Sequence, residues 1–210
     1  MAMADDDMER SPERMVFFSD AVVAIALTLL ILPLTEAVPE GVARHTPPLE
    51  LIAENQWKIY AFLLSFAVIA RLWIVHHQLF SQVKSGNNTL LLLNFGWLLT
   101  IVVLPFPTEV TGGYSHDRFT TGFYIGTVLA TSLFASAMTI VVRRRGLAKE
   151  GAPLVRHRFG EIVPTGSLLL AFILVMAFPA LSYYPMLLLL LTGPVERVLE
   201  RRFTTGAAAR

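Results

Sequence analysis

Cysteine is absent from the 210-residue chain, and charged residues are scarce. Without cysteine the chain cannot form disulfides, bind a metal through thiolates or use a cysteine nucleophile. Charged residues make up 16% of the chain, against about 25% in a typical soluble domain, while 54% of the residues are hydrophobic. The net charge is only +1, so we expect no nucleic-acid partner. These deficits exclude an ordinary soluble domain and predict an all-α integral membrane protein.

The common signatures of enzymes are missing as well. The sequence contains no GxSxG nucleophile motif, no glycine-rich phosphate loop and no HExxH zinc motif. His76 and His77 are adjacent, so on a helix their side chains diverge by about 100° and do not readily share one metal ion. The acidic N-terminal segment is not followed by a small-residue cleavage site, so no cleavable signal peptide is expected. We therefore predict a protein that is not an enzyme and that has no cofactor and no fixed metal ion.

Long apolar runs dominate the chain instead. A helix needs about 20 apolar residues to cross the hydrocarbon core of a bilayer, and six segments qualify. We predict that residues 1–210 form a single domain of six transmembrane helices, at about 15–34, 57–80, 89–106, 119–142, 161–180 and 183–199. The proline-containing segment 35–56 is expected to be an irregular outer connector. The TGGYS segment at 111–115 is expected to be a loop with a glycine turn.

Basic residues indicate how these helices are oriented. They concentrate near the N-terminus, at Lys84, in the segment 143–158 and near the C-terminus. Because basic loops stay on the cytoplasmic side, we predict that both termini are cytoplasmic in a multi-pass protein of the inner (plasma) membrane. A nucleic-acid-binding patch at 143–158 is an alternative, but a topology-setting loop beside anionic lipid is favoured.

Polar side chains on the first three predicted helices lie at similar depths. Asp20 is about 9 Å from the cytoplasmic end of its helix, His77 about 5 Å and Asn94 about 8 Å. Ionisable groups in a bilayer are costly and normally face protein or water, with partners. We predict an inter-helix cluster of Ser19, Asp20, His77 and Asn94. A packing clamp is favoured over a gate hinge or a proton sensor.

The first helix also carries an apolar stripe. At about 100° per residue, Ala21, Ile25, Thr28, Leu29 and Leu32 share one side of the helix. The polar pair of the predicted cluster points about 120–140° away from Ile25. Periodicity alone favours a helix-packing or lipid-facing surface over a pore wall.

The first helix begins with the segment RMVFFSD, which has the form R-x-x-x-F-S-D. Arg14, Phe18, Ser19 and Asp20 carry this motif. It resembles the signature of the lysosomal-type potassium channels, the transmembrane protein 175 family. The chain length, the number of spans and the HHQLF segment of the second helix also resemble a bacterial member. The likeness in layout covers most of the chain, whereas the motif covers only the first helix.

The resemblance implies a homotetramer in which the first helix of each subunit lines a central cation pathway. Matching positions place a narrow hydrophobic ring at Ile25, a hydroxyl linked to potassium preference at Thr28 and the next apolar ring at Leu32. Leu29 lies on the same stripe, and we include it in the predicted pore wall. Such a pore has no carbonyl selectivity filter, and a hydrophobic constriction holds ions back by dewetting. We therefore expect a potassium-permeable cation channel in which permeant K⁺ passes near Thr28.

An alternative function uses the polar cluster directly. In a proton-coupled secondary transporter, Asp20 and His77 would relay protons while a substrate binds at mid-membrane. Transporters often contain repeats and paired helices broken by glycine or proline, and neither is evident in the sequence. A non-conducting scaffold is a further alternative. The resemblance favours the channel over both.

Overall fold

The computed structural model describes residues 12–114 and 118–152, and these ranges are almost entirely helical. A single β-bridge, between Val83 and Ala148, accompanies the helices there. The seven helices of this part of the chain are α1 (Pro12–Leu29), α2 (Leu32–Ala43), α3 (Pro48–Glu54), α4 (Gln56–Ser81), α5 (Asn88–Val103), α6 (Pro105–Gly113) and α7 (Arg118–Arg144).

Four stretches of the described chain are long and apolar enough to cross a membrane. They are Pro12–Ala43, Gln56–Ser81, Asn88–Gly113 and Phe119–Arg144. Each overlaps one of the first four predicted spans, so the chain is an all-α protein with several membrane-spanning helices. The predicted spans at 161–180 and 183–199 lie outside the described residues.

Prolines divide the first and third of these stretches into two helices each. Pro33 has no N–H to donate to the carbonyl of Leu29, and its ring would crowd that carbonyl in a continuous helix. Accordingly, α1 ends at Leu29 and α2 begins at Leu32. In the same way α5 ends at Val103, and Pro105 is the first residue of α6.

The prediction of an irregular connector at 35–56 was wrong, because much of this segment is helical. Pro33 and Pro48 lie in the first turns of α2 and α3. A missing N–H is harmless there, since first-turn N–H groups have no partner within the helix. The prediction treated every proline as a helix breaker, whereas α2 even contains Pro39 in its interior. The predicted glycine loop was also placed wrongly, since 111–113 form the last turn of α6.

The buried core lies where the long helices meet. Helix α5 packs along α7, α4 packs along α6, and α1 lies against both α4 and α5. Ile69 of α4, Trp97 of α5 and Tyr124 of α7 are almost completely buried. At Gly96 a Cβ atom would overlap the ring of Phe134, so a larger residue here would have to displace that side chain. This packing places one side of α1 against the core and leaves the other side uncovered.

Candidate functional site

A chain of hydrogen bonds joins α1, α4 and α5 inside the protein. The hydroxyl of Ser19 donates to the carbonyl oxygen of Met15 at 2.7 Å. The amide Nδ2 of Asn94 donates to Ser19 Oγ at 2.9 Å, and the amide Oδ1 lies 2.7 Å from His76 Nε2. We call Ser19, His76 and Asn94 the polar knot, and each is at most 1% exposed. The knot therefore links three helices without contact with solvent.

The hydrogen-bond pattern determines the tautomer of His76. Because Asn94 uses its amide nitrogen toward Ser19, its Oδ1 faces the imidazole and can only accept. Nε2 of His76 must then carry the proton, which leaves Nδ1 as a buried acceptor with no partner in the described part of the chain. The ring is stacked on Trp97 with a centroid distance of 4.1 Å, and the ring of Phe80 lies 4.5 Å away. These contacts hold a neutral imidazole in an aromatic stack.

The imidazole of the knot belongs to His76, whereas the sequence analysis predicts His77. His77 is one residue further along α4, which turns its side chain by about 100°. It is exposed, and its ring lies 5.6 Å from the ring of Trp73. The rotation of α4 in the packed fold explains the difference, because His76 lies on the buried face with Ser65 and Ile69, whereas His77 points about 80–120° away from these two residues.

Asp20 makes a separate contact rather than joining the knot. The indole N–H of Trp73 donates to Asp20 Oδ1 at 2.7 Å, and both side chains are half-buried. This hydrogen bond joins α1 to α4. Sequence reasoning missed Trp73 because it searched for charged and amide groups. An indole one helical turn from His77 was the available signal.

The other two motif residues lie on the same helix but contact different surroundings. Phe18 is 51% exposed, and the edge of its ring meets Phe95 of α5 at a centroid distance of 5.9 Å. Arg14 is exposed near the start of α1. The motif thus supplies one buried hydroxyl, one carboxylate and one aromatic contact, all of which attach α1 to its neighbours.

A second group of buried hydroxyls lies on α4, α6 and α7. Thr108 donates to Ser65 Oγ at 2.8 Å, and Ser65 donates to the phenol oxygen of Tyr124 at 3.0 Å. All three side chains are buried. Isolated hydroxyls within apolar runs show no charge and no spacing pattern, so this group was not predictable from the sequence. These hydrogen bonds join α4, α6 and α7, so we interpret the group as a packing contact.

The apolar stripe of the first helix is uncovered in the isolated subunit. Ile25 is 59% exposed, Leu29 40% and Leu32 47%, and Thr28 is exposed among them. Leu32 is the first residue of α2, so the stripe crosses the break between Leu29 and Leu32 instead of following one continuous helix. The structure therefore places all four predicted pore residues on the uncovered side.

The hydroxyl of Thr28 is already oriented. It donates its proton to the carbonyl oxygen of Ile25 at 2.7 Å. A hydroxyl has one proton and two lone pairs, so the oxygen of Thr28 keeps its lone pairs for groups outside the helix. The exposed stripe thus presents an electron-rich oxygen between two apolar side chains. The described residues contain no group of three or more His, Asp or Glu side chains that could hold a metal ion.

Comparison with known proteins identifies relatives of this fold and motif. Residues 14–105 match the family model described as endosomal/lysosomal potassium channel TMEM175. A potassium channel of Chamaesiphon minutus is 31% identical over 159 residues, which are 70% of this chain and 77% of that protein. A potassium channel of Streptomyces collinus is 37% identical over 105 residues, which are 50% of this chain. That second match spans about half, 49%, of the Streptomyces protein.

A solved structure supports the same relationship. The crystal structure of a lysosomal potassium-selective channel TMEM175 homologue from Chamaesiphon minutus superposes with a TM-score of 0.68 at 27% sequence identity. The match covers 88% of this chain and 97% of that one. Fold, motif and sequence identity agree, which confirms the resemblance inferred from R-x-x-x-F-S-D. The chain belongs to the TMEM175 family, a family of ion channels and not of enzymes.

Proposed function

We propose that the protein is the subunit of a homotetrameric, potassium-permeable cation channel in the cell inner (plasma) membrane. The observation that carries this proposal is the exposed stripe of α1 and the start of α2, with Ile25, Thr28, Leu29 and Leu32 uncovered in the isolated subunit. Relatives named potassium channels support K⁺ as the permeant ion. Six spans, with both termini in the cytoplasm, complete the proposed subunit.

Four copies of the stripe around one axis would form the conducting pathway. The resemblance to the family places the constriction at Ile25, whose side chain is 59% exposed in the isolated subunit. A hydrated cation entering a narrow apolar ring loses water without gaining replacement oxygens, and the ring therefore holds ions back by dewetting. Leu29 and Leu32 extend the apolar wall. No ring of backbone carbonyls is required, and selectivity for K⁺ over Na⁺ is modest.

Thr28 supplies the only hydroxyl of this wall. Since its proton is used within the helix, its lone pairs are free to contact a partly dehydrated cation. Four hydroxyls at one level would offset part of the dehydration cost just beyond the Ile25 ring. Permeant K⁺ therefore passes near Thr28 without a fixed binding site.

The motif has a structural part in this proposal. The knot residue Ser19 and the carboxylate of Asp20 attach α1 to α4 and α5 through separate hydrogen bonds. They lie on the sides of α1 that face the rest of the subunit, away from Ile25. The clamp thereby fixes how α1 is rotated, and the rotation determines which residues face the proposed axis.

Potassium flux into proteoliposomes tests the proposal, together with the oligomer mass in detergent. Wild-type protein should conduct K⁺ as a tetramer, and Ile25→Asn should raise the flux severalfold because an amide wets the ring. Leu133→Asn is the matched control, since Leu133 of α7 is 53% exposed and lies outside the stripe. Its flux should equal that of wild type.

Three results would contradict the proposal. Silent wild-type protein indicates a scaffold. Unchanged flux in Ile25→Asn would show that the constriction does not lie at this position. Flux that saturates with a defined solute and follows a pH gradient indicates a proton-coupled transporter, in which Asp20→Asn and His77→Gln should abolish coupling.

A further inference from the structure

Two loops at one end of the helices are held together by the backbone. The N–H of Lys84 donates to the carbonyl of Leu147 at 2.8 Å, and the N–H of Lys149 donates to the carbonyl of Gln82 at 2.8 Å. These bonds flank the bridge between Val83 and Ala148. The α4–α5 connection and the segment after α7 therefore form one ordered surface.

Backbone hydrogen bonds alone cap the C-terminus of α7. Gly146 has φ +63°, its N–H donates to the carbonyl of Arg143 at 3.3 Å, and the N–H of Leu147 donates to the carbonyl of Val142 at 3.0 Å. This is the Schellman arrangement, in which glycine adopts the left-handed conformation and the last carbonyls of the helix are satisfied. The adjacent arginine side chains are therefore not needed as caps.

Five cations lie on this ordered surface. The ammonium group of Lys149 donates to the carbonyl of Ser81 at 2.8 Å, so this lysine caps α4. The other four cations make no ion pair within the part of the chain that the structure describes, and Glu150 is the only carboxylate in the two loops. We call these four the basic platform: Lys84, Arg143, Arg144 and Arg145.

The platform lies at the ends of two membrane-spanning stretches. Gln56–Ser81 ends just before Lys84, and Phe119–Arg144 ends within the arginine run. Its cations are therefore at the level of the lipid headgroups, where arginine can bind a phosphate through two parallel hydrogen bonds. Each Lys or Arg at an anionic surface contributes roughly a fivefold increase in affinity at ordinary ionic strength.

We propose that the basic platform binds the phosphate groups of anionic phospholipids in the adjoining leaflet. Because the β-bridge fixes Lys84 against the segment that directly follows the arginines, the platform presents its cations to a single headgroup region. This interaction depends on the membrane orientation of α4 and α7 and not on ion conduction.

Lipid-dependent protection against thermal unfolding tests the platform. Purified full-length protein in a neutral detergent is titrated with phosphatidylglycerol or phosphatidylcholine, and the apparent Kd is obtained from the rise in Tm. Wild-type protein should prefer phosphatidylglycerol, with the preference lost at about 1 M salt because charges are then screened. Lys84→Gln should weaken the apparent Kd for phosphatidylglycerol roughly fivefold, whereas Lys58→Gln at the opposite end of α4 should leave it unchanged.

The arginines are tested with two triple variants. Replacing Arg143, Arg144 and Arg145 by glutamine should abolish the preference, and replacing them by lysine should retain most of it. Equal preference in the glutamine and wild-type proteins would overturn the proposal, as would equal protection by inorganic phosphate. If the glutamine variant does not fold, the proposal is tested by comparing Lys84→Gln with Lys58→Gln. An equal change in the apparent Kd for phosphatidylglycerol in these two variants would overturn the proposal.

Discussion

Replacing Asn94 by leucine tests the polar knot most sharply, because the two side chains are similar in size. The change removes both hydrogen bonds of Asn94, to Ser19 and to His76. Hydrogen bonds between membrane helices contribute about 0.6 kcal/mol each. A neutral imidazole always carries one N–H, and neither tautomer of His76 would find an acceptor. That buried donor costs a further 1–3 kcal/mol or so.

The sum predicts a loss of about 2–4 kcal/mol in the free energy of unfolding. For a chain of this length this corresponds to a fall in Tm of roughly 5–15 °C. Thermal unfolding of the purified protein in detergent measures it. Leu92→Ala is the control, because it also changes a residue of α5 but Leu92 is 72% exposed and makes few buried contacts. The Tm of this variant should stay close to that of wild type.

A second substitution identifies which histidine is involved. In the Asn94→Leu background, His76→Phe removes the orphaned N–H and keeps an aromatic ring against Trp97 and Phe80, so it should restore about 1–2 kcal/mol. His77→Phe in the same background should restore nothing. A loss below about 0.5 kcal/mol for Asn94→Leu, or equal rescue by both histidine substitutions, would refute the assignment of the knot.

Three further outcomes follow from the structure. Trp73→Phe and Asp20→Ala should each lower the free energy of unfolding by about 1 kcal/mol. If both losses come from the indole–carboxylate hydrogen bond, the double variant should be no less stable than the less stable of the two single variants. Additive losses would show that the two side chains act independently. Gly146→Ala should cost about 1 kcal/mol, because φ is +63° and no neighbour lies near the new methyl group. His45→Gly should raise the free energy of unfolding by about 0.5 kcal/mol, since His45 holds φ 56° just after the end of α2. Chemical denaturation measures the stability of both variants. A Gly146→Ala variant as stable as wild type would contradict the left-handed cap.

The first four membrane-spanning stretches were predictable because lipid leaves the backbone few options. Every N–H and C=O in the hydrocarbon region needs a partner, so long apolar runs become helices and hydropathy alone locates them. The effect of each proline on its helix was harder to predict from the sequence. Pro33 ends one helix and occupies the first turn of the next, and only the local pairing of N–H groups separates the two effects.

The polar contacts were predictable in type but not in identity. Buried Ser19 and Asn94 at similar depth require partners, and the structure joins them. The choice between His76 and His77 depends on how α4 is rotated against α5, which is a property of the packed fold. Adjacent histidines give no preference by themselves, whereas the spacing of buried residues along α4 does.

The functional face of α1 depends on the assembly, which neither hydropathy nor a single subunit determines. An exposed apolar side chain faces lipid, a neighbouring subunit or a pore, and Leu92, at 72% exposed, is even less covered than Ile25, at 59%. Resemblance to a channel family selected the stripe that contains Thr28.

Because the chain contains no cysteine, a single introduced thiol can test the central claim directly. Ile25→Cys is reconstituted in liposomes and treated with a membrane-impermeant, positively charged thiosulfonate reagent while the K⁺ current is recorded. We predict that the attached charge changes the current in Ile25→Cys and leaves Leu133→Cys unaffected. A current that stays the same in Ile25→Cys, with mass spectrometry showing the thiol unmodified, would place this residue in lipid and contradict the proposed pore.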